Sequence, residues 1–275
     1  MPWTRWRHEV GKATTATLLE MKRQGEKITV LTAYDWATAK LLDEAGVDVM
    51  LVGDSLGMVM LGLENTLSVT MEDMLHHCRA VARGAQRALL VGDMPFMSYQ
   101  VSPEQALVNA GRFLQEAGMH AVKVEGGREI LPAVRKMTQN GIPVLGHVGL
   151  TPQHVHQLGG FKVQGRTDAA AQRIREDAVA LEEAGAFGLV LECVPAPLAQ
   201  TISKQLTIPT IGIGAGPGCD GQVLVFHDVV GLYDRFTPKF VKKYAQVGIV
   251  MRDAVREYVQ EVKAGTFPGD EHVFK

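Results

Sequence analysis

The sequence predicts an α/β fold in which eight parallel strands alternate with helices and close into a barrel. Three observations carry that expectation. Short runs rich in Val, Ile and Leu recur along the 275 residues, at 28–34, 47–54, 88–95, 121–125, 142–147, 188–192, 208–212 and 223–226. Most are apolar throughout rather than alternating, as parallel strands covered on both faces require. Between them lie stretches with helix start and stop signals. Eight strand–helix units in roughly 230 residues match the size of a (β/α)8 TIM barrel, here with terminal helices.

Each unit has its own local reason. The first run is followed by Asp35, placed to cap a helix that starts at Trp36. That helix ends at Glu44-Ala45-Gly46, and the second run closes on Asp54. Thr70 caps a helix running toward Gly84, after which the third run carries Asp93. Ser102-Pro103-Glu104-Gln105 supplies a cap, a first-turn proline and a Gln at the capping-box position. The junction Glu116-Ala117-Gly118 precedes the fourth run, which ends in Glu125. The fifth run ends in His147, and residues 159–168 read as part of a long loop behind it. Glu183-Ala184-Gly185 repeats the junction before the sixth run and its terminal Glu192. A glycine-rich segment separates the last two runs, and 238–264 reads as a terminal helix. In the four junctions Gly46, Gly84, Gly118 and Gly185 are placed to end a helix in the left-handed conformation, since glycine has no Cβ to clash. A carboxylate follows each of them by seven to nine residues. Four acids at equivalent strand ends converge on one mouth of the barrel.

Composition narrows the function classes. Twenty-eight Lys plus Arg against 30 Asp plus Glu give a net charge of −2, without the clustered basic excess of a nucleic-acid or membrane-surface protein. A hydrophobic fraction of 46% and a charged fraction of 21% do not describe a disordered chain. No apolar run approaches the ~18 residues of a membrane span. Cys78, Cys193 and Cys219 lack metal-type spacing and fit a reducing compartment. Residues 1–8 are basic but have no apolar signal core behind them. The chain therefore reads as a soluble, cytoplasmic protein, one barrel domain over 1–275 with a short extension at residues 1–13 that has no assigned role.

Asp54, Asp93 and Glu125 form the first chemical constellation. Any one strand-end acid is as readily a helix cap or a rim residue. Three on neighbouring strands repel unless a cation joins them, and hard oxygen ligands favour Mg²⁺. Lys123 shares a strand face with Glu125 and should point into the barrel, with Val122 and Val124 toward the helices. It is a structural ion-pair partner, a cation for a substrate carboxylate and a developing enolate, or a Schiff-base lysine. His147 is a satisfied core histidine or a substrate contact. Glu192 follows three apolar residues, a setting that favours a general base, or it pairs with a cation. Cys193 alternates away from it and reads as buried packing. Gly53-Asp54-Ser55-Leu56-Gly57 fits the nucleophile-elbow pattern, with His227-Asp228 as the rest of a triad. A barrel gives no reason for that strained turn, so Ser55 reads as a hydroxyl donor at the mouth or a cap. Glycines 212, 214, 216 and 218 form a phosphate cradle or let loops pack closely.

The motifs taken together resemble one family. Thr32-Ala33-Tyr34-Asp35, Val52 to Met58, Asp93-Met94-Pro95-Phe96 and Val122 to Gly127 are similar to successive motifs of the ketopantoate hydroxymethyltransferases. Gly146 to Gln153, Lys162 to Arg166, Leu191 to Pro195, Ile211 to Gly216 and Pro268 to His272 continue the series in family order. The resemblance implies a barrel of the phosphoenolpyruvate/pyruvate superfamily and a Mg²⁺-dependent step of pantothenate biosynthesis. In that step 5,10-methylenetetrahydrofolate, 3-methyl-2-oxobutanoate and water give 2-dehydropantoate and tetrahydrofolate. It implies a metal site of Asp54, Asp93 and Glu125. Asp54, Ser55, Asp93, Lys123 and His147 match substrate-binding positions and Glu192 the proton acceptor. It also implies a homo-oligomer, often a decamer in the family. Two other readings remain open at this point: a different Mg²⁺-dependent 2-oxo acid lyase or aldolase, and a non-catalytic metabolite-binding barrel.

Overall fold

A computed structural model describes residues 11–274. They fall into two compact units, one ending at Leu224 and the other starting at Val225. The first unit contains α1 (Thr15–Gln24), β1 (Ile28–Thr32), α2 (Trp36–Ala45), β2 (Val49–Val52), α3 (Leu56–Val59), α4 (Met71–Gly84) and β3 (Leu89–Asp93). It continues with α5 (Pro103–Ala117), β4 (Ala121–Glu125), α6 (Leu131–Gln139), β5 (Val144–Gly149) and α7 (Val155–Leu158). It ends with α8 (Asp168–Glu183), β6 (Gly188–Glu192), α9 (Ala196–Gln205), β7 (Thr210–Ile213) and β8 (Gly221–Leu224). The second unit holds α10 (Phe226–Val229) and α11 (Val247–Ala264).

All eight strands are parallel and pair in chain order, with β8 returning to β1, so the expected (β/α)8 barrel closes. Every second strand residue points inward. Val30, Leu51, Val91, Leu145, Val190 and Ile211 form one apolar cluster there with Leu18 of α1. Inside it lies an apolar cavity of only about 20 Å³, so the barrel is packed and offers no channel. The interior turns polar one step further along the strands. Asp93, Lys123, Glu125 and His147 are all buried at the carboxyl ends.

The expected caps form. Asp35, Thr70 and Ser102 each accept a hydrogen bond from the backbone N–H three residues on. Gly46 and Gly118 end α2 and α5 in the left-handed conformation. Gly84 does not. It stays helical, and a Cβ there would sit 2.5 Å from Trp36 O and 2.9 Å from the Ala39 Cβ. The glycine is demanded by the close approach of α4 to α2, not by a turn.

Two further departures have local causes. No helix joins β7 to β8. Residues 214–220 make the connection alone, and seven residues can span up to ~24 Å while a four-residue strand rises only ~13 Å. The terminal helix begins at Val247 rather than 238, because Tyr244 N and Val247 N donate to Val229 O and Val230 O instead of to their own segment.

One glycine matters directly for placing the site. A Cβ on Gly92 would collide with the ring of Phe113 on α5. Gly92→Ala is therefore expected to cost about 1–3 kcal/mol in urea unfolding, as overpacked cores do. An unchanged midpoint would contradict this packing.

Candidate active site

The strand register brings the acids together. Asp93 on β3 is the ladder partner of Lys123 on β4, and Glu125 on β4 is the partner of His147 on β5. Asp54 sits in the turn after β2, where its backbone N–H donates to Asp93 Oδ2 at 3.2 Å. Asp54, Asp93 and Glu125 each offer a carboxylate oxygen, and these oxygens lie within 4.8 Å of one another. Lys123 Nζ donates to both Asp93 oxygens, at 2.7 and 2.9 Å, and to Glu125 Oε1 at 3.1 Å. His147 lies between two carboxylates, with Nδ1 3.4 Å from Glu125 Oε1 and Nε2 3.3 Å from Glu192 Oε2. Both separations are ion-pair distances rather than well-aligned hydrogen bonds. Glu192, the last residue of β6, is the most open member, with its side chain 15% exposed.

The electrostatics are uneven. Burial pushes the Asp54 carboxyl well above the usual carboxylate range, and the charges of Asp93 and Glu125 push it further. Burial also raises Asp93, against the pull of Lys123. Burial acts on Glu125 in the same direction, but Lys123 and His147 outweigh it and hold that carboxyl at about 2. The Lys123 ammonium is disfavoured by burial yet held charged by Asp93, Glu125 and Asp54. His147 likewise overcomes its burial through Glu125 and Glu192, reaching about 9. Lys123 thus serves Asp93 and Glu125, while among the described residues no cationic side chain forms an ion pair with Asp54. Buried carboxylate oxygens short of a cation, with no Cys in the set, fit a hard divalent ion such as Mg²⁺.

Removing Lys123 leaves these acids buried without their ammonium partner. Lys123→Met is expected to lower unfolding stability by about 3–5 kcal/mol in metal-free buffer, the cost of breaking a buried ion pair. Chemical denaturation matching the unsubstituted protein would sink that reading.

Ser55 joins the site by another route. Its hydroxyl lies 2.8 Å from the Tyr34 hydroxyl, and it makes no side-chain cap on α3. Its backbone is ordinary right-handed helical, so the elbow expected of a nucleophilic serine is absent there. His227 and Asp228 lie on α10 in the second unit. Cys193 corrects the expectation of buried packing. The strand stops at Glu192, and Cys193 turns into the left-handed region at φ +48°, half-buried. Burial, then the Glu192 charge, push its thiol up to about 12, so it is no nucleophile. The glycine-rich loop packs on α9, where a Cβ on Gly216 would lie 2.5 Å from that of Ala196.

Residue-by-residue reading missed two members of the site. Tyr99 and Gln153 are both buried, and the Tyr99 hydroxyl donates to Gln153 Oε1 at 2.7 Å and accepts from Glu125 N at 3.0 Å. Gln153 stood at the end of a recognised motif. Tyr99 gave no signal, being one aromatic in a loop.

The family model of ketopantoate hydroxymethyltransferase matches residues 12–270. The chain belongs to the ketopantoate hydroxymethyltransferase family. It is 68% identical over 263 residues to 3-methyl-2-oxobutanoate hydroxymethyltransferase of Syntrophus aciditrophicus (strain SB), covering 96% of this chain and 97% of the relative. Membership of the ketopantoate hydroxymethyltransferases makes the chain an enzyme and a transferase, as the motif series implied. Among solved structures, phosphonopyruvate hydrolase in complex with oxalate and Mg²⁺ superposes with a TM-score of 0.61 at 15% identity, covering 96% of this chain and 92% of that one. The 2,3-dimethylmalate lyase of the PEP mutase/isocitrate lyase superfamily reaches 0.57 at 15% identity, over 94% and 91%. At that identity the likeness is one of fold.

Proposed function

We propose that the chain transfers a one-carbon unit from 5,10-methylenetetrahydrofolate to the enolate of 3-methyl-2-oxobutanoate, with water completing the release of 2-dehydropantoate and tetrahydrofolate. This is the pantothenate-forming step that the motif resemblance implies. The observation that carries the reading is a single mouth where three buried acids and Lys123 stand on one side and Glu192 on the other, bridged by His147.

Asp54, Asp93 and Glu125 would hold Mg²⁺. When bound, Mg²⁺ polarises the keto-acid oxygens and offsets the negative charge of the enolate. Lys123 Nζ, fixed by Asp93 and Glu125, presents an ammonium to the substrate's carboxylate end and to the developing oxyanion. The same bonds keep it charged, which suits this role and not a Schiff base, for which the amine must be neutral. Glu192 Oε2 faces His147, leaving Oε1 to take the C3 proton. His147 orients that carboxylate. Ser55, next to Asp54 in the chain, has its hydroxyl bonded to that of the buried Tyr34. The nucleophilic carbon then attacks the one-carbon unit, and no electron or phosphoryl transfer is needed.

A homo-oligomer belongs to the same proposal. Its support is α11, on which Ile249, Val250, Val255, Tyr258 and Val262 are left uncovered by the rest of the second unit. A cytoplasmic site is supported by three free cysteines. Among the described residues no helix is long and apolar enough to cross a membrane.

The test is an assay with 3-methyl-2-oxobutanoate and Mg²⁺, offering methylenetetrahydrofolate or simple aldehydes as the electrophile. Dehydropantoate formed only with the folate is expected. Product from aldehydes alone, or cleavage of the keto acid, would favour a lyase or aldolase instead.

A further inference from the structure

We propose that Gln153 is a positioning residue that sets the orientation of Asp54 toward the cation and ties Asp54 to Glu125 across the mouth. Gln153 lies on the short turn after β5, 3% exposed. Its Nε2 donates to Asp54 Oδ2 at 3.0 Å and to Met94 O at 2.9 Å. Its Oε1 accepts from the Tyr99 hydroxyl at 2.7 Å and from Gln100 Nε2 at 3.3 Å. Its backbone N–H donates to Glu125 Oε2 at 3.0 Å.

This set admits one amide orientation. Turning the amide over would aim its oxygen at two acceptors, Asp54 Oδ2 and Met94 O. The orientation has a consequence for Asp54. One carboxylate oxygen, Oδ2, is taken by the amide, while Oδ1 accepts no hydrogen bond from the described residues and is left to a cation. The same side chain therefore holds a carboxylate rotamer on the β2 side and, through its own backbone, a carboxylate on β4. Buried and fully satisfied, the amide is locked by Tyr99 behind it. Such outer partners of a metal ligand are expected to tune affinity without touching substrate.

The inference rests on the acid cluster being the metal site, and the test separates the two. Mn²⁺ and Mg²⁺ are titrated calorimetrically into full-length protein without substrate, for the unsubstituted chain, Gln153→Met and Tyr99→Phe. Gln153→Met is expected to bind Mn²⁺ about 10–100-fold more weakly. At subsaturating Mg²⁺ the keto-acid KM rises, and saturating Mg²⁺ restores kcat. Tyr99→Phe shifts the affinity in the same direction by a smaller factor. Folded Gln153→Met with unchanged Mn²⁺ affinity would overturn the inference. So would a kcat that saturating metal fails to restore, which marks a merely structural role. Where Gln153→Met does not fold, Tyr99→Phe decides alone, and unchanged affinity in it overturns the proposal. An unsubstituted chain that binds neither ion would instead overturn the metal site itself.

Discussion

Glu192→Gln is expected to keep Mg²⁺-dependent binding of 3-methyl-2-oxobutanoate and to lose turnover by about 10²–10⁴-fold, the range a positioned general base contributes. The substitution preserves shape and removes only the ability to accept a proton. Glu192 stands at the end of β6, outside the 4.8 Å acid cluster and linked to it through His147. Binding and chemistry should therefore separate cleanly. Steady-state rates with calorimetric binding of the keto acid measure both. Full turnover in the variant would remove Glu192 from the base role and direct attention to His147.

Asp93→Asn is expected to do the opposite, weakening Mg²⁺ and keto-acid binding together. Asp93 is the most heavily used acid of the cluster, accepting two of the three Lys123 bonds and the Asp54 N–H. Removing one of three like charges that face a cation in a buried site costs several kcal/mol, so the Mg²⁺ affinity should fall about 100-fold or more. The keto acid, which needs the cation, follows. Calorimetry that finds both affinities unchanged would refute the metal site. Asn is preferred to Ala because it keeps the volume and limits the penalty of stranding the buried Lys123.

Much of this arrangement was legible before any coordinates, for a physical reason. Parallel strands in a barrel all end at one mouth, so a glycine-spaced acid after four of them brings Asp54, Asp93, Glu125 and Glu192 there by topology alone. Period-two alternation likewise put Lys123 and Glu125 on the inner face, with Val122 and Val124 outward, and all four are buried as that requires. Gln153 and Tyr99 were not legible residue by residue, because their value lies in bonds to partners 54 and 26–28 positions apart in the chain. No local periodicity marks such pairs. Gly84 shows a different limit. A glycine that ends a helix and one that lets two helices touch carry the same letter, and only the neighbouring Trp36 carbonyl and Ala39 tell them apart. The terminal helix was overextended for a similar reason, since the hydrogen bonds of residues 244 and 247 to α10 leave no trace in composition.

The most direct test of the proposed chemistry is proton NMR of 3-methyl-2-oxobutanoate with the protein and Mg²⁺ in D₂O, before and after adding 5,10-methylenetetrahydrofolate. Enolisation at this mouth should exchange the C3 proton in a Mg²⁺-dependent manner, and the folate should then convert the exchanged acid to dehydropantoate. A persistent C3 signal and no product from folded, Mg²⁺-loaded protein would contradict it.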